Sequence, residues 1–216
     1  LASIDVGITA KLDIPGFSKY GIGAKPLDLY AKRWSIFLEQ VLHGQATADV
    51  AVIGGGVAGC ELAMAMAFAL QSAGVSPRVT VIESGPTISV VGDKAKRRIL
   101  KAMSDLGVVV KTSAKTVELT SNQVLLDGQE PVAAVFCVGA AGGSAHKWIS
   151  QTNLPQLNGF IKIGSDLGVL GDEALFAVGD CALMEVEPLP KAGVFAVRAA
   201  PILHHNIRMA LSGGLR

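Results

Sequence analysis

The sequence predicts an α/β fold built on a parallel sheet, and three observations point to it. Apolar, β-branched runs of strand length alternate with helical stretches along most of the chain, the order that builds parallel sheets through crossovers. A glycine turn, Gly54-Gly55-Gly56-Val57-Ala58-Gly59, joins a strand at 49–53 to a helix running from 60 to 70. A second strand at 79–82 then closes on an acid, Glu83. Half of the 216 residues are hydrophobic and 17% are charged, enough apolar surface for one large or two small packed domains.

The glycine turn has the spacing G-x-G-x-x-G. That spacing alone is weak, but between a β-branched strand and a helix, with an acid ending the next strand, it is a dinucleotide-binding fingerprint. Gly54 permits the tight turn out of the strand. Gly56 has no Cβ, so a pyrophosphate can approach the backbone, and Gly59 lets helix and strand pack closely. Gly55, Val57 and Ala58 complete the cradle, where the helix turns its unpaired N–H groups and the positive end of its dipole to the phosphates. Glu83 is expected to accept hydrogen bonds from the adenosine ribose hydroxyls and to repel a 2′-phosphate, which favours NAD over NADP. It stands further along the chain than the usual ~20 residues, as a longer helix allows. The competing reading is a tight strand-to-helix turn with no ligand. On the first reading the fold is a Rossmann-like sheet.

The remaining elements follow in order. Residues 2–6 form a short strand ending at Gly7, residues 14–16 a turn, and Pro26 suits the first turn of a helix. Leu27, Tyr30, Trp34, Phe37, Leu38 and Val41 recur at helical spacing as far as Leu42. After Glu83 a loop with Gly85 and Pro86 leads to a helix at about 92–106. Its cations, Lys94, Lys96, Arg97, Arg98 and Lys101, read as a solvated face, with phosphate contact the alternative. Residues 108–110 form the next strand, and 115–119 with 123–126 form a hairpin. Residues 131–138 form a further strand ending at Gly139. This β-meander stands where a second crossover helix is usual.

Beyond Gly142 a polar connector carries Trp148 and Leu154, and Phe160 to Ile163 follow Gly159. Residues 175–178 make an apolar strand ending in Gly179 and Asp180. Pro188 and Pro190 precede a helix at about 193–211, closed by Gly213 and Gly214, in which Pro201 is expected to kink or interrupt the helix. Residues 1–46 read as the tail of a preceding domain plus a connecting helix, followed by the NAD(H)-binding domain at 47–142 and a last segment at 143–216.

With these pieces placed, the chain resembles the two-dinucleotide-domain flavoproteins, which include type II NADH dehydrogenases and pyridine nucleotide-disulfide oxidoreductases. The residues that carry the resemblance are Ile53 through Glu61, Val135 through Ala140, and Leu175-Phe176-Ala177-Val178-Gly179-Asp180-Cys181-Ala182, similar to the family's second flavin motif. Ile4 to Gly7, Lys25-Pro26-Leu27, Arg33-Trp34 and Pro190 through Arg198 resemble a narrower subgroup, found fused to or beside selenophosphate synthetase (selenide, water dikinase). The resemblance implies that Asp180 hydrogen-bonds the ribityl chain of FAD. It also implies that the helix from Gly193 and Val194 points its N-terminus at the flavin pyrimidine ring. There its dipole would stabilise negative charge on reduced flavin. Gly7, Gly139 and Gly179 become cofactor-contacting glycines. Lys191 and Arg198 either add positive charge there or face solvent. Glu61 is the candidate catalytic residue, orienting the nicotinamide; its alternative is a carboxylate favoured by the helix N-terminus.

The implied activity is hydride transfer from NADH to FAD, and then to a quinone, a small oxidant, or a selenium or sulfur species. The alternative is an NADH-sensing module regulating a selenophosphate synthetase-like partner, and a homodimer is the other partner expected. A simple NAD-only dehydrogenase is disfavoured by the meander and by Gly179-Asp180. The family's first glycine motif would precede Ala2, so a fragment is expected that folds, binds NADH weakly and holds no FAD by itself. Cys60, Cys137 and Cys181 have no C-x-x-C or metal-ligand spacing and read as small buried hydrophobes. His43, His146, His204 and His205 read as surface or core histidines, with no metal implied. A net charge of +1 without a basic-aromatic stripe gives no pointer to nucleic acid. The longest apolar run, 62–70, is far short of the ~20 residues that span a bilayer, and no signal core is visible, which in an expected fragment says little about the parent protein; the expected location is the cytoplasm.

Overall fold

The structure, a computed structural model, describes residues 1–9, 12–90, 92–189 and 191–213. Two expectations, on Pro190 and on Gly214, lie outside these residues. In chain order the elements are β1 (Ala2–Ile4), α1 (Phe17–Tyr20), β2 (Gly21–Gly23), α2 (Leu27–Leu42), β3 (Asp49–Ile53), α3 (Val57–Ser72), β4 (Arg78–Ile82) and α4 (Asp93–Asp105). There follow β5 (Val109–Lys111), β6 (Thr116–Leu119), β7 (Gln123–Leu126), β8 (Gln129–Ala133), β9 (Phe136–Gly139), β10 (Gln156–Leu157), β11 (Phe160–Ile163), β12 (Leu175–Ala177), β13 (Ala182–Met184) and α5 (Gly193–Leu211). The chain divides into two compact units, Ala10–Gly142 and Leu1–Thr9 with Gly143–Arg216.

In the first unit a five-stranded parallel sheet runs in the order β2-β9-β3-β4-β5. All five residues of β3 are buried, because both faces of the sheet are covered. The period of two decides what covers each face. Val50 and Val52 pack with Cys60, Ala63, Met66 and Leu70 of α3 and with Tyr30, Phe37 and Val41 of α2. Ala51 and Ile53 pack on the other side with Leu119, Val124, Leu126 and Val132 of the antiparallel sheet β6-β7-β8 and with Phe17. Phe136 of β9 anchors α2, stacked on Phe37 at 4.9 Å and edge-on to Trp34 at 5.5 Å. Asp49 and Arg78, paired across the starts of β3 and β4, form a two-point ion pair that pulls the Asp49 carboxyl below its usual range.

Several expectations change here. Helix α2 packs into the core of the glycine-turn unit, Ala10–Gly142. The strand expected at 131–138 is two strands in two sheets. The Ala134 N–H still bonds the Asn122 carbonyl beside the meander, while the Val135 N–H already bonds Asp49 of the parallel sheet. An edge strand, β2, went unforeseen, because Gly21-Ile22-Gly23 has no strand-like pattern of side chains.

The second unit joins β1 to β12 in parallel and β11 to β13 in parallel, with β10 antiparallel on β11. Ile161, Ile163, Leu167, Phe176 and Val178 form its core, against which Ala199, Leu203 and Ile207 of α5 pack. Strand β1 stops at Ile4, short of the expected residue 6; the Val6 carbonyl bonds the His146 ring and Gly7 turns to φ +64°. Helix α5 runs unbroken through Pro201. The carbonyl that the proline leaves without a helical partner belongs to Val197, which is 73% exposed, so water can satisfy it. Among the described residues, no helix is long and apolar enough to cross a membrane.

Candidate dinucleotide site

The four glycines of the turn owe their identity to different causes. Gly54 leaves β3 at φ +112°, and a Cβ there would lie 2.6 Å from the Ala141 nitrogen. Its N–H bonds the Ile82 carbonyl at 2.8 Å, which ties the turn to the end of β4. A Cβ on Gly59 would stand 1.9 Å from the Gly54 carbonyl oxygen, so the first turn of α3 rests directly on the strand's exit. At Gly55 a Cβ would meet the Glu83 side chain at 3.0 Å. Gly56 differs: its φ of −72° suits any residue, and nothing lies within 4 Å of the place a Cβ would take.

Neither backbone geometry nor packing therefore calls for glycine at position 56. A ligand that approached the backbone there would. Gly56 caps α3 without a side-chain hydrogen bond, and Val57 and Ala58, the first helical residues, are exposed. The positive end of a 16-residue helix, with clear space above its capping glycine, suits a phosphate. The residues present fit a dinucleotide.

Glu83 sits at the end of β4, 8% exposed, with its carboxylate among protein donors. The Gly55 N–H donates to Oε2 at 2.8 Å, while the Gly85 N–H and the Ser84 hydroxyl donate to Oε1 at 2.7 and 3.3 Å. It thus fastens the glycine turn to the loop after β4, a role the motif did not reveal. A carboxylate has about four acceptor positions, so capacity for one ribose hydroxyl remains. The same loop adds a clamp that sequence reasoning missed, the Ser89 N–H on the Gly55 carbonyl at 2.8 Å. No side chain signals it.

Other expected residues fall elsewhere. Glu61 is the fifth residue of α3 and exposed, beyond the first turn to which stabilisation by a helix end is confined. That weakens the alternative reading of this carboxylate. Gly139 is buried at the end of β9, and a Cβ there would strike Leu12 at 2.2 Å and Phe17 at 2.6 Å, so packing suffices to explain it.

In the second unit Gly179 has φ +71° and lies against Asp5 and Ala196, where a Cβ would meet their atoms at 2.5 and 3.3 Å. The first turns of α5 therefore pack on the Gly179–Cys181 turn. Asp180 on that turn is 8% exposed. Gly7 is explained by its positive φ. Gly193, the first residue of α5, repeats the situation of Gly56: it lacks a positive φ and no atom lies within 4 Å of a Cβ position. Val194 beside it is half exposed, and the helix has no side-chain cap. Of the two flanking cations Arg198 is exposed and Lys191 is half-buried.

Cys60, Cys137 and Cys181 are free and buried, and burial pushes the Cys137 thiol up to about 12. Among the described residues, no group of three or more His, Cys, Asp or Glu could hold a metal ion.

The family model of the pyridine nucleotide-disulphide oxidoreductases matches residues 8–200. The chain is similar to the demethylphylloquinone reductase NdbB of Synechocystis, 30% identical over 186 residues that make up 82% of this chain and 44% of that protein. It is also similar to the rubredoxin-NAD(+) reductase of Pseudomonas putida, 31% identical over 145 residues, 63% of this chain and 36% of that one. A solved NAD-dependent persulfide reductase from A. fulgidus matches 95% of this chain and 38% of its own, with TM-score 0.75 and 21% identity, a likeness of fold. The chain spans less than half the length of each.

Proposed function

The chain belongs to the pyridine nucleotide-disulphide oxidoreductase family, and from that premise we propose that it is the NAD(H)-binding part of a flavoprotein oxidoreductase, with a share of the FAD site. The observation that carries the NAD(H) reading is Gly56, open above the N-terminus of α3 with neither strain nor packing to require a glycine. In this reading the α3 N–H groups hold the pyrophosphate and Glu83 receives the adenosine ribose. Exposed Glu61 orients the nicotinamide. Asp180, Gly179, Gly7, Gly193 and Val194 belong to the FAD side, where Asp180 holds the ribityl chain and the α5 N-terminus favours negative charge. FAD, when bound, supplies the hydride-accepting chemistry and passes electrons onward.

The acceptor is a quinone, a small oxidant, or a selenium or sulfur species. The redox partners that the relatives' names carry, demethylphylloquinone and rubredoxin, are themselves of different kinds. The selenium option rests on the sequence segments shared with the selenophosphate synthetase-associated subgroup. A module that only sensed NADH for such a partner would have no need of the Asp180 turn with α5 packed on it. Anaerobic rapid mixing of NADH with the parent flavoprotein tests the proposal. The visible flavin absorbance should bleach, faster with NADH than with NADPH; an unchanged flavin spectrum would refute it.

A further inference from the structure

Lys191 stands two residues before α5, and its side chain reaches two separate segments. The ammonium donates to the carbonyl of Ala182, the residue that follows the Gly179–Cys181 turn. It lies 4.4 Å from the centre of the Phe160 ring on β11. With Gly179, Asp180, Leu189 and Phe195 it lines a cavity of about 60 Å³. A lysine normally keeps its head in water and buries only its stem. Here the head itself is held inward, at some cost in hydration, on a carbonyl and an aromatic face that both favour a cation. Burial pushes the amine below its ordinary value, an effect the nearby Asp180 charge partly offsets.

Lys191 thus links the two parts of the FAD half-site that must be held in register, one through its bond to Ala182 and the other by leading in sequence into α5. One is the turn that carries Asp180, and the other is the start of α5 with Gly193. We propose that Lys191 is a positioning residue for the flavin: it fastens the lead into α5 onto Ala182 and so fixes the α5 N-terminus relative to Asp180. The inference rests on the FAD reading above. It assigns no contact between Lys191 and the cofactor, since the side chain acts through Ala182 and the helix start.

The test compares the wild-type parent flavoprotein with Lys191→Met, Lys191→Gln and Lys191→Arg. The readouts are FAD affinity from flavin fluorescence during titration, the visible flavin spectrum, and the melting curve of the apoprotein. Loss of a charged hydrogen bond should weaken FAD binding about tenfold in K191M and K191Q and shift the flavin spectrum. K191R, which keeps a cation and a donor, should restore affinity to within about threefold. Wild-type affinity and spectrum in K191M or K191Q would overturn the proposal while leaving the FAD reading intact. K191R as weak as K191M would also overturn it, reducing Lys191 to packing. Wild-type protein that takes up no FAD would sink the FAD reading, and this inference with it.

Discussion

An alanine at Gly59 would put its Cβ 1.9 Å from the Gly54 carbonyl, whereas one at Gly56 would meet nothing within 4 Å. The two substitutions therefore separate stability from binding. Gly59→Ala forces helix and strand apart and should cost about 1–3 kcal/mol or more, lowering the melting temperature whether or not NADH is present. Gly56→Ala should cost about 1 kcal/mol or less, as an alanine at a helix cap does. It should nevertheless weaken NADH binding at least about tenfold, because the methyl group occupies the approach to the N–H groups. Melting curves and NADH titrations on both variants check the pair. A Gly56→Ala protein that binds NADH normally would remove the main support for the site. Glu83 gives a complementary lesson: its carboxylate holds Gly55 and Gly85 in place, so its substitution would disturb the turn as well as any ribose contact.

Among the elements, β3, α3 and β4 were legible in the sequence because each is specified by its own side chains. β3 is apolar from Val50 to Ile53, α3 is opened by the glycine turn, and β4 is closed by Glu83. The elements that escaped are those fixed by partners distant in sequence. β2 has two glycines in three residues and exists because β9 pairs with it. The split between β8 and β9 is made by two backbone N–H groups choosing different sheets, Ala134 toward Asn122 and Val135 toward Asp49. Apolar pattern alone cannot show that. Within the site, Gly56 and Glu83 were readable from spacing, while the Ser89 clamp and the inward turn of Lys191 depend on tertiary contacts.

Burial of Cys137 in β9 has a consequence for pH. Its folded-state value of about 12 lies above the ordinary 9, so the unfolded chain releases the thiol proton first. The contribution of this group to stability is then complete below pH 9. As pH rises from 9 toward 12 it is lost, at about 1.4 kcal/mol per unit. Chemical denaturation at pH 8 and pH 10 should show the decline, and Cys137→Ala should reduce it. All three thiols should also resist alkylation at neutral pH until the chain unfolds. Rapid labelling of the folded protein would contradict that assignment.

For the whole molecule, two units each present a helix N-terminus topped by a glycine that neither strain nor packing requires, Gly56 on α3 and Gly193 on α5. Those two features support the NAD(H) and FAD readings independently, and the family match spans residues from both units. The two readings can fail separately, and the NAD(H) reading can be tested on this chain by itself. The most direct test of it is titration of this 216-residue chain with NADH and with NADPH, followed by nucleotide fluorescence. The account predicts saturable binding of NADH, tighter than that of NADPH, and at least about tenfold weaker in Gly56→Ala at an unchanged fold. Absence of NADH binding by the folded chain, or binding indifferent to Gly56, would contradict it.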